Sequence, residues 1–421
     1  MAYFALADCN NFYVSCERVF NPALEKQAII ILSNNDGCII SRSNEAKALG
    51  IPMGAPVFKY RDLIRRGQIK CFSSNYALYG DMSQRVMNSL RRLCSDMEVY
   101  SIDEAFLKLD HFSYYDLTAY LIDIRQKVKQ WTGIPISIGL APSKTLAKVA
   151  NFYAKRVIKA GVCDLRSAPL RDSLLQTLPI EEIWGIGRKL TEKLRHYSIK
   201  TALDLQQANP KIMRRRFSVV VERIILELNG ISCLSLESVA AKKQIMCSRS
   251  FGRPVTDLHD LSSALSRYTA RAAYKLREQD CKTQAIYVFI TTNKHKTSDR
   301  QYMKGLTCSL VTATNDTRVL ITAAQQILKQ LYKSGFNYKK AGILLMDIIP
   351  SHQQSNDLFI QPTSQRSVAL MRVLDETNQI FGAHTLFFAA EGGAQTSWAM
   401  RSGHRSPRYT TNWQEIVNVI A

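Results

Sequence analysis

The order of apolar patterns between residues 245 and 350 constrains the fold more than any other feature of the chain. Apolar runs typical of strands lie near residues 245–252, 284–292, 306–312 and 341–348. Apolar residues at helical spacing follow the first and third runs, at Leu261, Leu265, Tyr268, Ala272 and Leu276 and at Leu320, Ala323, Ile327 and Leu331. This β-α-β-β-α-β order predicts a small sheet backed by two helices.

The first 230 residues also mix strand and helix patterns. Strands are predicted over residues 3–7, 28–32, 98–109 and 135–141, and residues 33–37 have turn composition. Residues 43–95 have a helical pattern interrupted by glycine and proline, and Ser143 is expected to cap a helix that runs to about Arg156. Short helices with glycine-rich turns are predicted over 178–230, a linker over 231–244, and an irregular polar pattern beyond Pro350. The fold class is therefore α+β, with several domains.

The charge balance indicates the kind of partner. The chain of 421 residues has 56 Lys and Arg against 35 Asp and Glu, a formal net charge of +21, which favours nucleic acid or an anionic membrane face. No apolar run approaches the roughly 18 residues of a membrane span. The first residues lack the basic start of a signal peptide, so we expect a cytoplasmic protein and favour nucleic acid. The ten cysteines form no CxxC pair, which argues against a zinc site and a disulfide framework.

Three acidic residues lie at predicted strand ends. Asp8 follows the apolar residues 3–7, and Asp103 and Glu104 follow residues 97–102. Carboxylates about 4 Å apart repel by about 4 kcal/mol at an effective dielectric constant of about 20, so bound cations or protonation must offset the repulsion. Oxygen ligands beside a phosphate-bearing substrate indicate Mg²⁺. Two such ions would stabilise an attacking 3′-oxygen and a leaving pyrophosphate.

Several motifs accompany these acids in a fixed order. They cover residues 8–17 (DCNNFYVSCE), 34–38 (NNDGC), 44–47 (NEAK), 101–106 (SIDEAF) and 143–151 (SKTLAKVAN). Together they resemble the Y-family DNA polymerases, and the UmuC branch in particular, with a similarity that extends to residues 406–411 (SPRYTT) near the end of the chain. The resemblance implies an error-prone DNA-dependent DNA polymerase that performs translesion synthesis in the SOS response by two-metal-ion nucleotidyl transfer.

The resemblance also implies a right-hand architecture. The palm covers residues 1–20 and 76–166, the fingers 21–75, the helical thumb with its helix-hairpin-helix 167–230, a linker 231–244, the β-α-β-β-α-β little finger 245–350 and a C-terminal interaction segment 351–421. The fingers are short, and no stretch remains for a proofreading exonuclease. We therefore expect low fidelity and tolerance of distorted templates.

The site residues of the family transfer to this sequence motif by motif. The metal ligands fall on Asp8, Asp103, Glu104 and the backbone carbonyl of Cys9, with two Mg²⁺ ions as the implied cofactor. The steric gate, which excludes a ribose 2′-hydroxyl, falls on Tyr13. Contacts with the incoming nucleotide fall on Phe12, Ser41, Arg42, Asn44, Lys47 and Lys155.

The sequence departs from the family pattern at a few of these positions. Asn44 and Lys47 replace the Tyr and Arg of other branches, and Lys cannot form a bidentate contact with phosphate, so Arg42 is a candidate to compensate. Asn10 replaces a frequent second acidic residue. Lys144 and Lys148 share a helix face with Lys155, and for these two a solvated face is the simpler expectation.

Other motifs point to DNA-binding parts of the chain. Gly185 and Gly187, followed by Arg188 and Lys189, resemble a helix-hairpin-helix, in which backbone N–H groups approach a phosphate without reading bases; a plain turn between helices is the alternative. Arg249 is expected to lie along the duplex backbone. Residues 357–359 resemble a clamp-binding peptide anchored by Leu358 and Phe359, although Ser355 replaces its first Gln.

The implied partners are primer-template DNA, deoxynucleoside triphosphates, a UmuD′-like regulatory dimer, the RecA filament and the sliding clamp, at the bacterial nucleoid. No membrane is among them. Two functions of other classes remain open from the residues alone. One is a metal-dependent DNA repair nuclease, and the other is a DNA-binding accessory protein without catalysis. Neither has a task for Tyr13, Lys47 or Lys155.

Overall fold

The computed structural model describes residues 3–110, 116–158, 160–237, 242–353, 364–393, 396 and 398–416. Contacts between residues divide the chain into two units. The first unit contains residues 1–33, 37–238 and 403–421, and the second contains residues 34–36 and 239–402. Among the described residues, the first unit has two sheets and the second unit has one, and each unit encloses hydrophobic core of its own.

The described strands of the first unit form two sheets. These strands are β1 (Phe4–Cys9), β2 (Ile29–Leu32), β3 (Ile39–Arg42), β4 (Lys70–Ser73), β5 (Met97–Val99), β6 (Glu104–Lys108), β7 (Ile136–Ala141) and β8 (Val162–Asp164). The larger sheet has the order β5-β6-β1-β7-β8, and the smaller sheet has the order β3-β2-β4.

Strand β1 lies at the centre of the larger sheet. All its residues are buried, and because side chains alternate along a strand, Ala5 and Ala7 face one core while Phe4 and Leu6 face another. A strand covered on both faces needs apolar side chains on both, which explains the continuous apolar run before Asp8. The predicted strands at residues 3–7 and 135–141 are confirmed.

Some helices of the first unit lie between its strands in sequence, and the others follow its last described strand, β8. They are α1 (Phe12–Phe20), α2 (Asn44–Ala48), α3 (Arg61–Arg65), α4 (Tyr76–Leu93), α5 (Leu117–Thr132), α6 (Lys144–Arg156), α7 (Ala168–Thr177), α8 (Arg188–Arg195), α9 (Ala202–Gln207), α10 (Pro210–Arg216) and α11 (Val219–Leu228). The predicted cap of α6 is confirmed, since the Ser143 side chain accepts a hydrogen bond from the backbone N–H of Leu146.

Helix α6 lies unusually close to strand β7. A Cβ atom at Gly139 would lie 2.2 Å from the backbone nitrogen of Asn151, so only glycine permits this approach. The Asn151 side chain then donates hydrogen bonds to the carbonyls of Leu6 and Ser137, on β1 and β7, at 3.2 and 2.7 Å. This contact fixes α6 against the end of the sheet where Asp8 lies.

Two predictions for the first unit are wrong. The single strand expected over residues 98–109 is a hairpin, in which β5 and β6 pair antiparallel and residues 100–103 form the turn. Residues 70–73, expected within a helical stretch, form β4, which pairs in parallel with β2. A strand of four residues is too short to establish a period of its own, so its partner strand decides the outcome.

The second unit contains the predicted β-α-β-β-α-β order, which is confirmed. Its elements are β9 (Ile245–Val255), α12 (Leu258–Glu278), β10 (Cys281–Thr292), β11 (Met303–Thr314), α13 (Thr317–Leu331) and β12 (Tyr338–Pro350). The strand order is β11-β10-β12-β9, with every pair antiparallel, so β12 separates the parallel strands β9 and β10. This is the split arrangement expected for two helices on one sheet.

The polar composition after Pro350 predicted an irregular pattern, but the described residues of this part of the chain include a helix. Helix α14 (Gln365–Phe381) buries Met371 and Leu374 in the second unit. The Arg277 guanidinium also binds the Asp375 carboxylate through two hydrogen bonds of 2.6 and 2.8 Å. Residues 403–416, by contrast, belong to the first unit. The domain boundaries proposed from the sequence remain predictions.

Two further features bear on the chemistry open to the chain. All ten cysteines are free thiols. Within the described part of the chain, no helix combines the length and the apolar character that a bilayer span requires.

Candidate active site

Two of the predicted metal ligands lie opposite each other on neighbouring strands. Asp8 in β1 is the register partner of Glu104 in β6, and residues paired in this way point to the same face of a sheet. Burial raises the pKa of Asp8 to about 7, although the Lys155 ammonium lowers it in part, while a hydrogen bond to Glu104 raises it further. Burial also acts on Glu104, but its hydrogen bond with Asp8 and the Lys148 ammonium outweigh this and hold its pKa below the usual value. Of the two carboxyl groups, Asp8 therefore takes up a proton more readily than Glu104.

Asp103 lies next to this pair but is held differently. It is in the turn between β5 and β6, where its carboxylate accepts a hydrogen bond of 2.6 Å from the Ser101 hydroxyl. Its backbone carbonyl accepts from the N–H of Cys9 at 2.8 Å. Within the described residues, no group of three or more Asp, Glu, His or Cys side chains converges closely enough to hold a metal ion. The structure thus brings Asp8 and Glu104 together and leaves the Asp103 carboxylate on Ser101.

The lysines of α6 each pair with an acidic residue of the sheet. Lys144 lies 2.5 Å from Glu98, Lys148 lies 2.9 Å from Glu104, and Lys155 lies 2.5 Å from Asp8. The solvated face expected for Lys144 and Lys148 is therefore wrong, because the Lys144 side chain is only 3% exposed and that of Lys148 is 17% exposed. Spacing along one helix could not reveal these partners, since they lie on β1, β5 and β6.

Aromatic rings surround the Lys148 ammonium. Its nitrogen lies 4.5 Å from the ring centre of Tyr100, 5.3 Å from that of Trp184 and 5.7 Å from that of Phe106. The Trp184 indole N–H also donates to the Tyr100 hydroxyl at 3.2 Å. Cation–π contacts keep an ammonium in a partly buried place, so these rings orient Lys148 toward Glu104.

Tyr13 and Phe12 lie in the first turn of α1. Phe12 is 3% exposed and belongs to the core, so its side chain is not open to a ligand. Tyr13 is partly exposed and stacks on Tyr79, with ring centres 4.4 Å apart and planes 15° apart. Asn11 precedes α1 with a φ of 45°, a left-handed conformation that Asn tolerates better than most residues. This turn presents Tyr13 a few residues after Asp8.

The predicted phosphate contacts lie on β3 and α2. Lys47 donates to the Asn11 side chain at 2.5 Å, and Asn11 donates to the Asn44 side chain at 3.0 Å. Burial lowers the pKa of Lys47, and the nearby charges of Arg42, Lys155 and Arg156 lower it further. Arg42 itself donates to the backbone carbonyl of Ile51, and Ser41 is buried. Four cationic side chains are thus gathered at a cost that a polyanionic ligand would offset.

The candidate DNA contacts lie in both units. Gly185 has a φ of +90°, and a Cβ there would lie 3.1 Å from the Ile224 side chain, so a glycine is required. Gly187 precedes α8, and Arg188 and Lys189 are exposed in its first turn. In the second unit, Arg249 lies on β9, an edge strand of that sheet. Leu358 and Phe359, with Ser355, lie outside the described residues.

The donor chemistry of the site suits a divalent cation. Asp8 and Glu104 present carboxylate oxygens side by side, with Asp103 next in the turn, and such hard oxygen ligands are those that Mg²⁺ prefers. The repulsion between the two carboxylates is offset here by the ammonium groups of Lys155 and Lys148, and a cation would supply positive charge at the same place. Asn10, by contrast, accepts from the Ser137 hydroxyl at 2.9 Å.

A solved structure shares this fold. A chimera of the Y-family DNA polymerases Dbh and Dpo4 matches with a TM-score of 0.66 at 20% identity, over 83% of this chain and 99% of that chain. The chain thus has the fold of a Y-family DNA polymerase, which confirms the predicted architecture.

Family models and relatives identify the branch. The impB/mucB/samB family model matches residues 7–151, its C-terminal domain 242–358, the IMS family HHH motif 171–199 and a domain of unknown function 368–419. Protein UmuC of Salmonella typhimurium is 43% identical over 99% of this chain and 100% of its own length. Protein ImpB of Salmonella typhimurium is 44% identical over 98% of both chains, and DNA polymerase IV of Oceanobacillus iheyensis is 24% identical over 90% and 89%.

The chain belongs to the impB/mucB/samB family, the UmuC branch of the Y-family DNA polymerases. It is therefore a DNA-directed DNA polymerase of the translesion class, as the sequence motifs predicted. This membership decides against the alternatives of a repair nuclease and a non-catalytic accessory protein. Divalent-metal chemistry is general in the family.

Proposed function

We propose that Asp8, Asp103 and Glu104 hold two Mg²⁺ ions and that this site joins an incoming deoxynucleoside triphosphate to a primer end. The observation that carries the proposal is the carboxylate pair of Asp8 and Glu104 beside Lys155, which itself lies among further cations. Carboxylates suit Mg²⁺, and clustered ammonium and guanidinium groups suit a triphosphate.

Each part of the site has its own task in this proposal. Asp8, Glu104 and Asp103, with the backbone carbonyl of Cys9, supply the oxygen ligands. When bound, the Mg²⁺ ions stabilise negative charge on the attacking 3′-oxygen and the leaving pyrophosphate. A large set of side chains binds and orients the triphosphate: Ser41, Arg42, Asn44, Lys47 and Lys155. Phe12 contributes through its backbone, because its side chain is in the core.

Tyr13 selects the sugar in this proposal. Its ring is backed by Tyr79 and cannot withdraw in that direction, so a 2′-hydroxyl in the space before it would be rejected by contact. Deoxyribose, which lacks this hydroxyl, is accepted. Sugar choice therefore depends on exclusion and not on a hydrogen bond.

Contacts with DNA are proposed to be independent of sequence. Backbone N–H groups after Gly185 and Gly187, with Arg188 and Lys189, bind phosphates of the duplex, and Arg249 binds the backbone from the second unit. Such contacts weaken strongly as salt rises. The other proposed partners, at the nucleoid, are a UmuD′-like dimer, the RecA filament and the sliding clamp. Of these, the sliding clamp is the one that Leu358 and Phe359 would contact.

Primer extension tests the function as a whole. On an undamaged template, and on one that carries an abasic site, the purified chain with Mg²⁺ and all four deoxynucleoside triphosphates is expected to extend the primer, alone or with the proposed partners. Extension past the lesion and frequent misinsertion are both expected. High accuracy with a full stop at the lesion would contradict the proposal, as would degradation of DNA without nucleotides.

Replacing Lys155 by Met is expected to raise KM for the incoming nucleotide about tenfold to a hundredfold, because a charged hydrogen bond to phosphate is lost. Methionine is an unbranched side chain only one atom shorter than lysine, and it removes the charge. Steady-state kinetics of single-nucleotide insertion measure the effect. Lys127→Met is the control, since Lys127 lies on α5 in a surface pair with Asp123. An unchanged KM in Lys155→Met would remove Lys155 from the site.

A further inference from the structure

Residues 403–416, the tail, belong to the first unit although they follow the second unit in sequence. They fall within the domain of unknown function matched over 368–419, and the proposed chemistry gives them no task. The tail is bound to β4 by two hydrogen bonds, from the N–H of Ser73 to the carbonyl of His404 and from the N–H of His404 to the Ser73 hydroxyl, both 3.0 Å. It is therefore an integral part of this unit.

Ser406 of the tail is hydrogen-bonded to a buried carboxylate of α1. Its hydroxyl donates to Glu17 at 2.9 Å, and the Tyr79 hydroxyl donates to the same Glu17 oxygen at 2.6 Å. Ser406 is 7% exposed, Glu17 2% and Tyr79 0%. Glu17 thus joins the tail to Tyr79 through two buried hydrogen bonds that share one acceptor atom. Hydrogen bonds to a carboxylate away from water are among the stronger ones in proteins.

The tail also fixes the start of α4, the helix that carries Tyr79. The Asn75 side chain caps this helix by accepting from the N–H of Leu78. The same side chain donates to the carbonyls of Ser406 and Pro407, each at 3.0 Å. The first turn of α4 is therefore held from the tail by side-chain and backbone groups together.

Both helices at the steric gate are in contact with the tail. Tyr13 stacks on Tyr79, and at the far end of α1 the Phe20 ring stacks on Tyr409 of the tail, with ring centres 4.7 Å apart and planes 10° apart. The tail thus touches the helix that carries Tyr13 and the helix that carries its stacking partner. The tail can therefore affect the position of the Tyr13 ring without any direct contact with the nucleotide.

We infer that the tail positions the steric gate, with Ser406 acting through Glu17 and Tyr79 on Tyr13. This inference rests on the proposed role of Tyr13. Ser406, Glu17 and Tyr79 are positioning residues, because they hold the gate ring at its place without touching substrate. A Tyr13 ring that is held less firmly is displaced more easily by a ribose 2′-hydroxyl. Deoxyribose has no 2′-hydroxyl and requires no displacement of the ring. Loss of the tail contact should therefore lower the preference for deoxyribonucleotides over ribonucleotides and leave polymerisation with deoxynucleotides largely unchanged.

The test uses the full chain with Mg²⁺ and compares kcat/KM for one deoxynucleoside triphosphate and its ribonucleoside counterpart opposite the same template base. Ser406→Ala and Tyr79→Phe are each expected to lower the preference for deoxyribose about fivefold to tenfold, since each removes one hydrogen bond to Glu17. The deoxynucleotide kcat/KM should change less than about threefold. Ser406→Thr, which keeps the hydroxyl, should restore the preference. The double variant should lose less than the product of the single effects, because both act on one oxygen.

Thr411→Ala is the matched control, because it removes a hydroxyl from an exposed residue of the same tail. It should leave the preference unchanged. Equal losses for both sugars in Ser406→Ala and Tyr79→Phe would overturn the inference, because they would indicate a purely structural role. If Ser406→Ala fails to fold, Tyr79→Phe decides alone, since it keeps the ring.

Tyr13→Ala separates failure of the inference from failure of the proposed function. If this variant lowers the preference and the tail variants do not, the tail inference is wrong and the gate remains. If Tyr13→Ala itself leaves the preference unchanged, the gate assignment is wrong, and the inference fails with it.

Discussion

Asp8→Asn, Asp103→Asn and Glu104→Gln are each expected to lower kcat for nucleotide addition about a thousandfold or more. The amides keep the size of the side chains and remove the charge that is proposed to hold the cations. Removing one preorganised electrostatic group from such a site costs about a hundredfold to a thousandfold, and losing a metal ligand should reach the upper end or exceed it. Single-turnover insertion on a primer-template measures the loss without interference from product release.

A control variant and the affinity for DNA separate a loss of catalysis from other effects of the substitutions. Asp123→Asn removes a carboxylate from a surface pair with Lys127, and it should leave kcat within about twofold, because exposed pairs contribute little. The affinity for primer-template should stay nearly constant in all variants, since the proposed contacts with DNA phosphates are elsewhere. Full extension by Asp103→Asn would be incompatible with the assignment. Asp103 is the most informative of the three, because its carboxylate is bound to Ser101.

Features with a local signal could be predicted from the sequence. The second unit follows from periods of two and of about 3.6 residues in a fixed order, and α6 follows from Ser143 and the apolar spacing after it. Asp8 could be placed at the end of an apolar strand for the same reason. These patterns depend on residues a few positions apart, so a single sequence contains them in full.

Features that depend on distant partners could not be predicted in this way. The strand expected over 98–109 breaks at residues 100–103, which places Glu104 opposite Asp8 and Asp103 in a turn. From its sequence context, Lys148 is predicted to lie on a solvated face. In the fold it contacts Glu104 and three aromatic rings, including Trp184, which come from distant parts of the chain. The tail has a polar sequence that gives no sign of its buried contacts. Its partners Glu17 and Asn75 lie more than 300 residues earlier, so no local pattern could reveal them.

Tyr13→Ala is expected to lower the preference for deoxyribonucleotides over ribonucleotides about a hundredfold. The ring is backed by Tyr79 at a centre distance of 4.4 Å, so accommodating one extra hydroxyl requires displacement of packed rings. Overpacking of this kind costs about 1–3 kcal/mol, and each 1.4 kcal/mol corresponds to about a factor of ten. Alanine opens the space and removes the clash, so ribonucleotide insertion should rise while deoxynucleotide insertion changes little.

Tyr13→Phe distinguishes exclusion from hydrogen bonding. It keeps the ring and its stacking on Tyr79 and removes only the hydroxyl, so the preference should remain within about threefold of wild type. The measurement is the ratio of kcat/KM for the two sugars with the same base, in wild type and both variants. A large loss in Tyr13→Phe would mean that the hydroxyl recognises the sugar directly. An unchanged ratio in Tyr13→Ala would instead place the sugar-selecting group elsewhere, because the only ring that this proposal sets against the 2′-hydroxyl would then be absent without effect.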